Sequence, residues 1–277
     1  MNHSKKIFIQ QTILHGIMAV LVFMLLYPLF IALWISVKDV EAYRIEPWLP
    51  TLPMWLTNYS YAWHAVARYI YNTIFVGTVA TAGLLFLSSI SAYVFARMRF
   101  PGREPLYMLV IALMMVPGVL TFVPTYMIYN TLGLLDNYLV LIIPTIIGGS
   151  VGGIFLLRTF FNGLPEAVFE AARIDGCNEF DAYAKVCIPL SLPIMGTLAV
   201  MTIVSIWNDV VWPMTTISND KLYTISAGLF LKFNNEYATN VPVLFAGYTV
   251  ASLPLILLFV FANRYYIEGL ASAGLKL

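Results

Sequence analysis

Residues 165–189 read PEAVFEAARIDGCNEFDAYAKVCIP, and this charged stretch lies between two long apolar runs of the 277-residue chain. Pro165 suits the first position of a helix, and Glu166 lies at the positive end of the helix dipole. Gly176 suits the left-handed position that follows a helix. The stretch therefore predicts a short helix with both ends specified.

A second short helix is predicted from Asn178 to Val186, and Pro189 is expected to end it. Acidic residues outnumber basic ones in the stretch, with Glu166, Glu170, Asp175, Glu179 and Asp181 against Arg173 and Lys185. An acidic helix with a small-residue face can lie in another protein's groove. A plain solvated connector between two spans is the alternative.

The composition around this stretch is that of a membrane protein. Of the whole chain, 60% is hydrophobic and only 10% is charged, whereas a soluble domain carries about 25% charged residues. The apolar residues form runs long enough to cross a bilayer, which takes about 20 residues. We predict an all-α integral membrane protein with six transmembrane helices, at roughly 12–36, 71–95, 106–130, 138–157, 191–212 and 241–263.

The distribution of Lys and Arg predicts that both termini are cytoplasmic, since ten of these residues then lie inside and five outside. The inside residues are Lys5, Lys6, Arg97, Arg99, Arg103, Arg158, Arg173, Lys185, Arg264 and Lys276, and the outside residues are Lys38, Arg44, Arg68, Lys221 and Lys232. The predicted parts are a cytoplasmic N-terminus (1–11), a six-span domain (12–264) with a cytoplasmic loop (159–190) and outer loops (37–70 and 213–240), and a cytoplasmic tail (265–277).

Several function classes are disfavoured by residues that the chain lacks. The net charge of +1 leaves no basic excess for nucleic acid, and no GxxxxGK[ST] motif is present, so any ATPase must be another polypeptide. The centres of the six runs hold no Asp, Glu, Lys or Arg, which argues against an ion-coupled secondary carrier, the main alternative. The histidines are dispersed and have no HExxH spacing, so no metal or catalytic site is predicted. Cys177 and Cys187 are expected to be a reduced, incidental pair.

Residues 148–153 read GGSVGG and contain two overlaid GxxxG spacings. Small residues at this spacing allow the backbones of two membrane helices to approach closely. We therefore predict that this part of the fourth run packs tightly against another helix.

The charged stretch resembles the EAA motif of ABC importer permeases. It has Glu170-Ala171-Ala172, three residues, Gly176, nine residues, and an ending of Val186-Cys187-Ile188-Pro189 in which Val and Ile depart mildly from the family's apolar positions. Further stretches of the chain resemble carbohydrate-type permeases. They are Ala92–Arg97, Phe100–Arg103, Met115–Pro117, Leu132–Asp136, Phe155–Arg158, Trp207–Asp209 and Ile267–Lys276. The resemblance covers nearly all of the chain and is to the maltose MalG-like half of sugar importers.

The resemblance implies a type I ABC importer permease fold in a prokaryotic inner membrane. It implies a heterodimer with a second permease, two ATPase subunits that bind ATP and Mg, and an extracytoplasmic solute-binding protein that delivers a sugar or oligosaccharide. The chain itself would then hold no cofactor, and its lipid-facing surface would contact the membrane. Permeases for amino acids, peptides or phosphate share the EAA motif, but the Arg-Ile-Asp-Gly insert and the Glu-Gly-Leu tail favour carbohydrate.

The resemblance also implies roles for individual residues. ATPase coupling would fall to Glu170, Ala171, Ala172, Arg173, Asp175, Gly176, Ile188 and Pro189. Trp207, Asn208 and Asp209 would line the substrate pathway, with helix packing or capping as the alternative. The binding protein would contact Ser218, Asn219, Asp220 and Tyr223, with a plain polar connector as the alternative.

Overall fold

The computed structural model describes the backbone of residues 3–274 and the side chains of residues 11–263. Within these residues, every regular element is a helix, as the apolar runs predict. The tail motif from Ile267 to Lys276 and the basic residues Lys5, Lys6, Arg264 and Lys276 lie outside the described side chains.

Four long helices dominate the fold: α1 (His3–Ser36), α3 (Thr57–Arg97), α6 (Leu139–Asn162) and α14 (Val241–Gly274). Each contains a stretch long and apolar enough to cross a membrane: Gln11–Ser36, Thr57–Arg97, Leu139–Asn162 and Val241–Asn263. The first, second, fourth and sixth predicted spans are therefore helices of sufficient length.

The third predicted span, 106–130, is not one continuous helix. It is divided into α4 (Arg103–Leu113) and α5 (Gly118–Thr131), which meet at an angle of 92°. The break ends at Pro117, whose backbone is extended with φ −60° and ψ 127°. Proline has no N–H for a helical hydrogen bond, and its ring disfavours helical geometry in the preceding residue.

The fifth predicted span also has a bend. The helix α10 (Leu192–Asn208) follows a helical stretch over Glu179–Leu190, and these two parts meet at 74°. The stretch consists of α8 (Glu179–Asp181), a π-helical turn (Ala182–Cys187) and α9 (Ile188–Leu190), and α7 (Glu166–Ile174) precedes it. Counting each bent pair as one span gives six spans.

The prediction that Pro189 ends the second short helix is wrong. The helix continues through Pro189 to Leu190, and the chain turns at Ser191. A proline in a helix crowds the carbonyl four residues earlier. The wider π-helical turn directly before Pro189 gives that ring room, so the bend comes two residues later.

The predicted outer loops are largely helical. Residues 37–70 contain α2 (Val40–Ile45), and α3 already begins at Thr57. Residues 211–236 contain α11 (Val211–Thr216), a 3₁₀ turn (Asp220–Leu222), α12 (Ile225–Gly228), a second π-helical turn (Leu229–Phe233) and α13 (Asn234–Glu236). These segments are therefore ordered by local hydrogen bonds along most of their length.

The chain divides into two compact units. The first comprises residues 1–67 and 233–253. In it, the side-chain amide of Asn58 donates to the carbonyl oxygens of Ser36 (2.9 Å) and Lys38 (2.8 Å), and the buried Lys38 ammonium donates to the carbonyl oxygen of Glu46. These bonds hold the end of α1 against the start of α3.

The second unit comprises residues 68–232 and 254–277 and contains the sites described below. In it, α3 and α6 approach closely: a Cβ atom at Gly149 would collide with Leu84, and one at Gly153 would collide with Ser88. The predicted tight packing at the GxxxG spacing is confirmed for this pair of glycines. Gly148 and Gly152 face open space instead.

Candidate functional site

The elbow, residues 159–190, contains the predicted coupling residues. Its first helix, α7, ends at Ile174, and Gly176 takes the predicted left-handed position after the helix, with a φ of 85°. The N–H of Cys177 donates to the carbonyl of Ala172 at 2.9 Å, and the N–H of Gly176 donates to that of Arg173 at 3.1 Å. These two bonds form a Schellman motif, which needs a residue that tolerates positive φ. Gly176 therefore sets the turn between the two halves of the elbow.

One side of the elbow is packed into the membrane helices. Phe169 of α7 is 0% exposed, and Ala182 and Cys187 of the π-helical turn are also buried. They share one apolar core with Leu157 and Phe161 of α6 and with residues of α3 and α10. Protein cores are close-packed and transmit displacement. Apolar packing therefore fastens the elbow to these helices.

Arg97, the last residue of α3, binds the start of the elbow through a set of contacts that we call the clasp. Its guanidinium donates to the carbonyl oxygens of Phe161 (2.5 Å) and Leu164 (2.8 Å) and to the carboxylate of Glu166 (2.5 Å). The guanidinium carbon also lies 4.1 Å from the ring centroid of Phe169. The side chain is only 7% exposed. Sequence reasoning used Arg97 as a cytoplasmic positive charge and as the end of the Ala92–Arg97 resemblance, and it missed this role.

Arg158 of α6 makes a comparable clasp on the hairpin between α3 and α4. Its Nε donates to the carbonyl oxygen of Phe95 at 3.1 Å, and its Nη2 donates to both carboxylate oxygens of Glu104 at 2.9 and 3.0 Å. Its guanidinium carbon lies 3.6 Å from the ring centroid of Tyr107. The ends of α3, α4 and α6 beside the elbow are thus held together by charge-assisted bonds.

Two tyrosines join the second half of the elbow to α3. The Tyr93 hydroxyl donates to Glu179 at 2.9 Å, and the Tyr183 hydroxyl shares a 2.8 Å hydrogen bond with Ser89. The two rings meet edge to face, with centroids 5.4 Å apart. Both halves of the elbow are therefore attached to the same helix.

Most of the acidic side chains of the elbow are paired within the chain. Arg173 lies 3.2 Å from Glu166 and 3.5 Å from Glu179. Lys185 lies 2.6 Å from Asp181. These pairs are internal to the elbow and its clasp.

Glu170 and Asp175 differ from the other carboxylates of the elbow. Both are exposed, and neither carboxylate forms an ion pair or hydrogen bond with the described residues. Ala171, beside Glu170, is exposed as well, whereas Ala172 is 8% exposed and packs inward. Of the two motif alanines, Ala171 is thus the one that offers a surface.

Two apolar side chains of the elbow that the sequence reasoning did not assign to the coupling site are exposed: Ile174 by 87% and Phe180 by 73%. Phe180 lines a cavity with residues of α3. Ile188, which is half-buried, and Pro189, which is exposed, lie at the bend into α10. The elbow therefore has a packed side, and on α7 the unpaired carboxylate of Glu170 lies four residues before the exposed Ile174.

The predicted pathway residues lie at the end of α10: Trp207, Asn208 and the C-cap Asp209. Trp207 and Asn208 both form hydrogen bonds within the chain. The carbonyl oxygen of the buried Trp207 accepts a 2.5 Å hydrogen bond from Ser226, and the Asn208 amide donates to the carbonyl oxygen of Val204 at 2.9 Å. Asp209 accepts from the backbone N–H of Trp212 at 3.3 Å. It also lines a cleft that is described below.

The anchored segment, residues 216–225 of the predicted outer loop, is held by polar side chains. Asp136, with a φ of 53°, accepts hydrogen bonds from the backbone N–H groups of Ser218 and Asn219, the latter at 2.9 Å. The Thr73 hydroxyl of α3 accepts from the N–H of Ile225 at 2.7 Å. Sequence reasoning noted Asp136 only as part of a resemblance, because nothing local shows what its carboxylate binds.

Asn72 of α3 is the central anchor of this segment. Its side-chain amide donates to the carbonyl oxygens of Lys221 and Tyr223, both at 2.9 Å, and its oxygen accepts from the Tyr138 hydroxyl at 2.8 Å. The Tyr223 ring lies 6.3 Å from that of Tyr69 between centroids. Tyr223, a predicted binding-protein contact, therefore faces its own chain in part.

The other predicted binding-protein contacts are nearer the surface. Ser218 and Asn219 are exposed, while Asp220 forms an ion pair with Lys232. The hydrogen bond from Lys232 lowers the pKa of the Asp220 carboxyl, as does the positive charge of this lysine. Among the described residues, no group of His, Cys, Asp or Glu could hold a metal ion.

Comparisons with known proteins identify the family. Residues 84–271 match the family described as "Binding-protein-dependent transport system inner membrane component". The chain belongs to this family. It is a multi-pass permease subunit of an ABC importer in the inner membrane.

Two relatives match nearly the whole permease. The arabinooligosaccharides transport system permease protein AraQ of Bacillus subtilis (strain 168) is 30% identical over 282 residues, which cover 100% of the permease and 99% of AraQ. The sulfoquinovosyl glycerol transport system permease protein SmoH of Agrobacterium fabrum is 31% identical and covers 90% of the permease and 89% of its own length.

A solved structure confirms the predicted fold. The crystal structure of a bacterial ABC transporter involved in the import of the acidic polysaccharide alginate contains a chain that matches with a TM-score of 0.79 and 23% identity. The match covers 96% of the permease and 99% of that chain.

Proposed function

We propose that the permease forms, with a second permease, the translocation pathway for a sugar or oligosaccharide that a solute-binding protein delivers. Two ATPase subunits, which bind ATP and Mg, would drive transport from the cytoplasmic side. The permease itself would contribute no ATPase site and no cofactor. The names of AraQ and SmoH, which concern an oligosaccharide and a glycoside, support a carbohydrate as the substrate class.

The two-sided elbow is the observation that carries this proposal. On one side, Phe169 and Arg97 fasten it to the membrane helices. On the other side, Glu170, Ala171 and Ile174 are exposed and have room for a partner. An exposed apolar residue beside a carboxylate free of partners suits insertion into a cleft of an ATPase.

The elbow's packing explains how such a partner would act on the pathway. When the two ATPases close, they would displace both permeases' elbows, and the shared core would carry α3, α6 and α10 along. The partner need only bind one arrangement of the elbow more tightly than the other, because differential affinity is what shifts a conformational equilibrium. Alternating access then follows as a rigid-body movement of packed helices.

The test uses the importer purified from its native membrane with its partners and reconstituted in vesicles. We expect ATP hydrolysis that is stimulated by the binding protein together with one class of sugar, in a panel that also contains glycerol phosphate and amino acids. Stimulation by a non-sugar solute alone would contradict the carbohydrate assignment. Uptake driven by an ion gradient in the absence of an ATPase would contradict the ABC mechanism and favour a secondary carrier.

Variants of the elbow test the docking surface. Glu170→Lys should abolish sugar uptake and leave folding unchanged, because Glu170 is exposed and its carboxylate has no described partner. Gly176→Pro should also uncouple hydrolysis from uptake, since the turn requires positive φ. The control Glu41→Lys makes the same charge change at an exposed position of α2. Normal uptake by Glu170→Lys, expressed at the normal level, would overturn the assignment of this surface.

A further inference from the structure

Two of the cavities in the second unit have similar volumes and differ in how many polar groups line them. One has a volume of about 310 Å³ and is almost wholly apolar, with Ile203, Leu258 and Phe261 among its lining residues. The other, of about 290 Å³, is the polar cleft. Its lining residues are Leu84, Thr145, Gly149, Met201, Thr202, Ser205, Ile206 and Asp209. Ionisable side chains are costly within a membrane protein's spans and mark substrate pathways, and Asp209 lies at the end of such a span.

The polar groups of the cleft retain capacity to bind a ligand. The hydroxyls of Thr145 and Thr202 donate to the carbonyl oxygens of Leu141 (2.8 Å) and Leu198 (2.9 Å), so their oxygens remain acceptors. The exposed Ser205 hydroxyl makes no hydrogen bond with the described residues. It can therefore both donate to a ligand and accept from it.

Asp209 supplies the strongest acceptor. Its carboxylate accepts the N–H of Trp212 at 3.3 Å, and an ionised carboxylate has about four acceptor positions, so others remain open. No Lys, Arg or His lines the cleft. A ligand that donates several hydrogen bonds and carries no negative charge fits this set, because an anion would be repelled by the carboxylate with no cation to offset it.

The remaining lining suits one side of a sugar ring. Met201, which is 54% exposed, provides apolar surface for the C–H groups of a ring, whereas Leu84 and Ile206 are buried and contribute little. The Ser205 hydroxyl and the Asp209 carboxylate are the groups available to its O–H groups. The volume of about 290 Å³ lies at the lower end of ligand pockets, which run from about 300 to 1,000 Å³. The cleft is thus sized for a small part of an oligosaccharide and not for a long chain.

We propose that the polar cleft is a subsite for one uncharged sugar unit during translocation, with Asp209 and Ser205 as its main hydrogen-bonding groups. The proposal rests on the proposed sugar import and narrows it to neutral sugars, as opposed to uronates, sulfonated sugars or sugar phosphates. It also separates the three residues that the sequence grouped together for the pathway: Asp209 lines the polar cleft, Trp207 lines the apolar cavity, and Asn208 lines neither.

Two measurements on the assembled importer in vesicles test the subsite. The first is the uptake rate of a neutral oligosaccharide at saturating binding protein, in wild type and in Asp209→Asn. We expect a loss of about tenfold, since one charge-assisted hydrogen bond is weakened. The control is Thr78→Val, which changes an exposed hydroxyl in the apolar cavity, and should transport as wild type does.

The second measurement is the labelling rate of Ser205→Cys by a water-soluble thiol reagent, in a chain that also carries Cys177→Ser. A neutral oligosaccharide delivered by the binding protein should slow labelling several-fold, and an oligouronate should not. Thr78→Cys, labelled under the same conditions, should be unprotected by either sugar.

The outcomes separate the two proposals. If wild type imports a neutral sugar while Asp209→Asn is unimpaired and Ser205→Cys is unprotected, the subsite is overturned and sugar import stands. If an oligouronate is imported and protects Ser205→Cys, the restriction to neutral sugars is overturned. If wild type imports no sugar at all, the proposed function fails and the subsite fails with it.

Discussion

The elbow at 159–190 and the anchored segment at 216–225 are both fastened to the membrane helices, but by different forces. The elbow shares a close-packed apolar core with α3 and α6 and adds the clasp of Arg97. The anchored segment depends on a few hydrogen bonds from Asp136, Asn72 and Thr73. Apolar packing is the sum of many small contacts, whereas each of a few hydrogen bonds can be broken singly.

This difference suits opposite tasks. A core that moves as a unit passes displacement on, as the proposed ATPase coupling requires. A segment held by separate polar contacts can exchange them when another polar surface, such as a solute-binding protein, approaches. The following changes test that contrast, from the largest expected effect to the smallest.

Phe169→Ala should be the most damaging of these substitutions. Phe169 is fully buried in the core that joins the elbow to α3 and α6, and deleting a buried phenyl ring costs about 3–5 kcal/mol. We expect rapid proteolysis within the elbow and a lower midpoint of thermal unfolding for the purified importer. Val168→Ala, at the exposed neighbouring position, should behave as wild type. An elbow that stays protease-resistant in Phe169→Ala would show that the core does not hold it.

Arg97→Met should loosen the elbow by about 2–3 kcal/mol, because it leaves Glu166 and two carbonyl oxygens without their charged donor. The expected signature is ATP hydrolysis that no longer depends on the binding protein, measured beside sugar uptake. Arg97→Lys should restore only part of the coupling, since an ammonium lacks the planar fork of donors.

The matched control for Arg97 is Arg99→Met, which removes an exposed arginine of the same hairpin. Equal uncoupling by both substitutions would mean that the loss of positive charge, and not the clasp, is responsible.

Asp136→Ala should release the anchored segment without disturbing the elbow. The substitution removes the acceptor for the N–H groups of Ser218 and Asn219, at a cost of about 1–2 kcal/mol. We expect roughly tenfold faster hydrogen exchange at these two amides, with the amides of α7 unchanged. Asp175→Ala removes an exposed elbow carboxylate with no described partner and serves as the control. Faster exchange at α7 in Asp136→Ala would remove the contrast between the two regions.

The smallest effect should be a pH dependence in the anchored segment. Because Lys232 lowers the pKa of Asp220 in the folded chain, the ion pair stabilises the fold above the unfolded pKa of about 3.9. This contribution is lost as the pH falls through the lower, folded pKa. Hydrogen exchange near residues 218–223, corrected for its intrinsic pH dependence, should show local opening below about pH 4. In Asp220→Asn, hydrogen exchange near residues 218–223 should already be fast at neutral pH. If exchange in this variant still accelerates at low pH, the ion pair is not the source of the pH dependence.

The parts of the molecule that could be predicted are those with local causes. The EAA spacing, the turn at Gly176 and the apolar runs at α1, α3, α6 and α14 each depend on residues close together in the sequence. The close approach at Gly149 and Gly153 was also predictable, because small residues four apart lie on one face of a helix. In the third run, the sequence shows Pro117. A proline is compatible both with a kinked but continuous helix and with a complete break, so the sequence did not predict the observed 92° angle.

The functional contacts could not be predicted where they join distant residues. Arg97 lies 64 positions before the Phe161 carbonyl that it binds, and Asp136 lies 82 positions before Ser218. No periodicity relates such partners. The exposure of Phe180 and the burial of Ala172 likewise follow from how the elbow is seated on α3 and α6.

By itself, the sequence determined that the chain lies in a membrane, how many apolar runs it has and where the helix-and-turn segment proposed to meet an ATPase lies, because hydrophobicity, charge and glycine conformation act within a few residues. Only the tertiary structure decided which side of the elbow is free, which arginine clasps it and which polar residues share a cleft. Those features depend on side chains from separate helices meeting in space, and packing alone selects which of them meet.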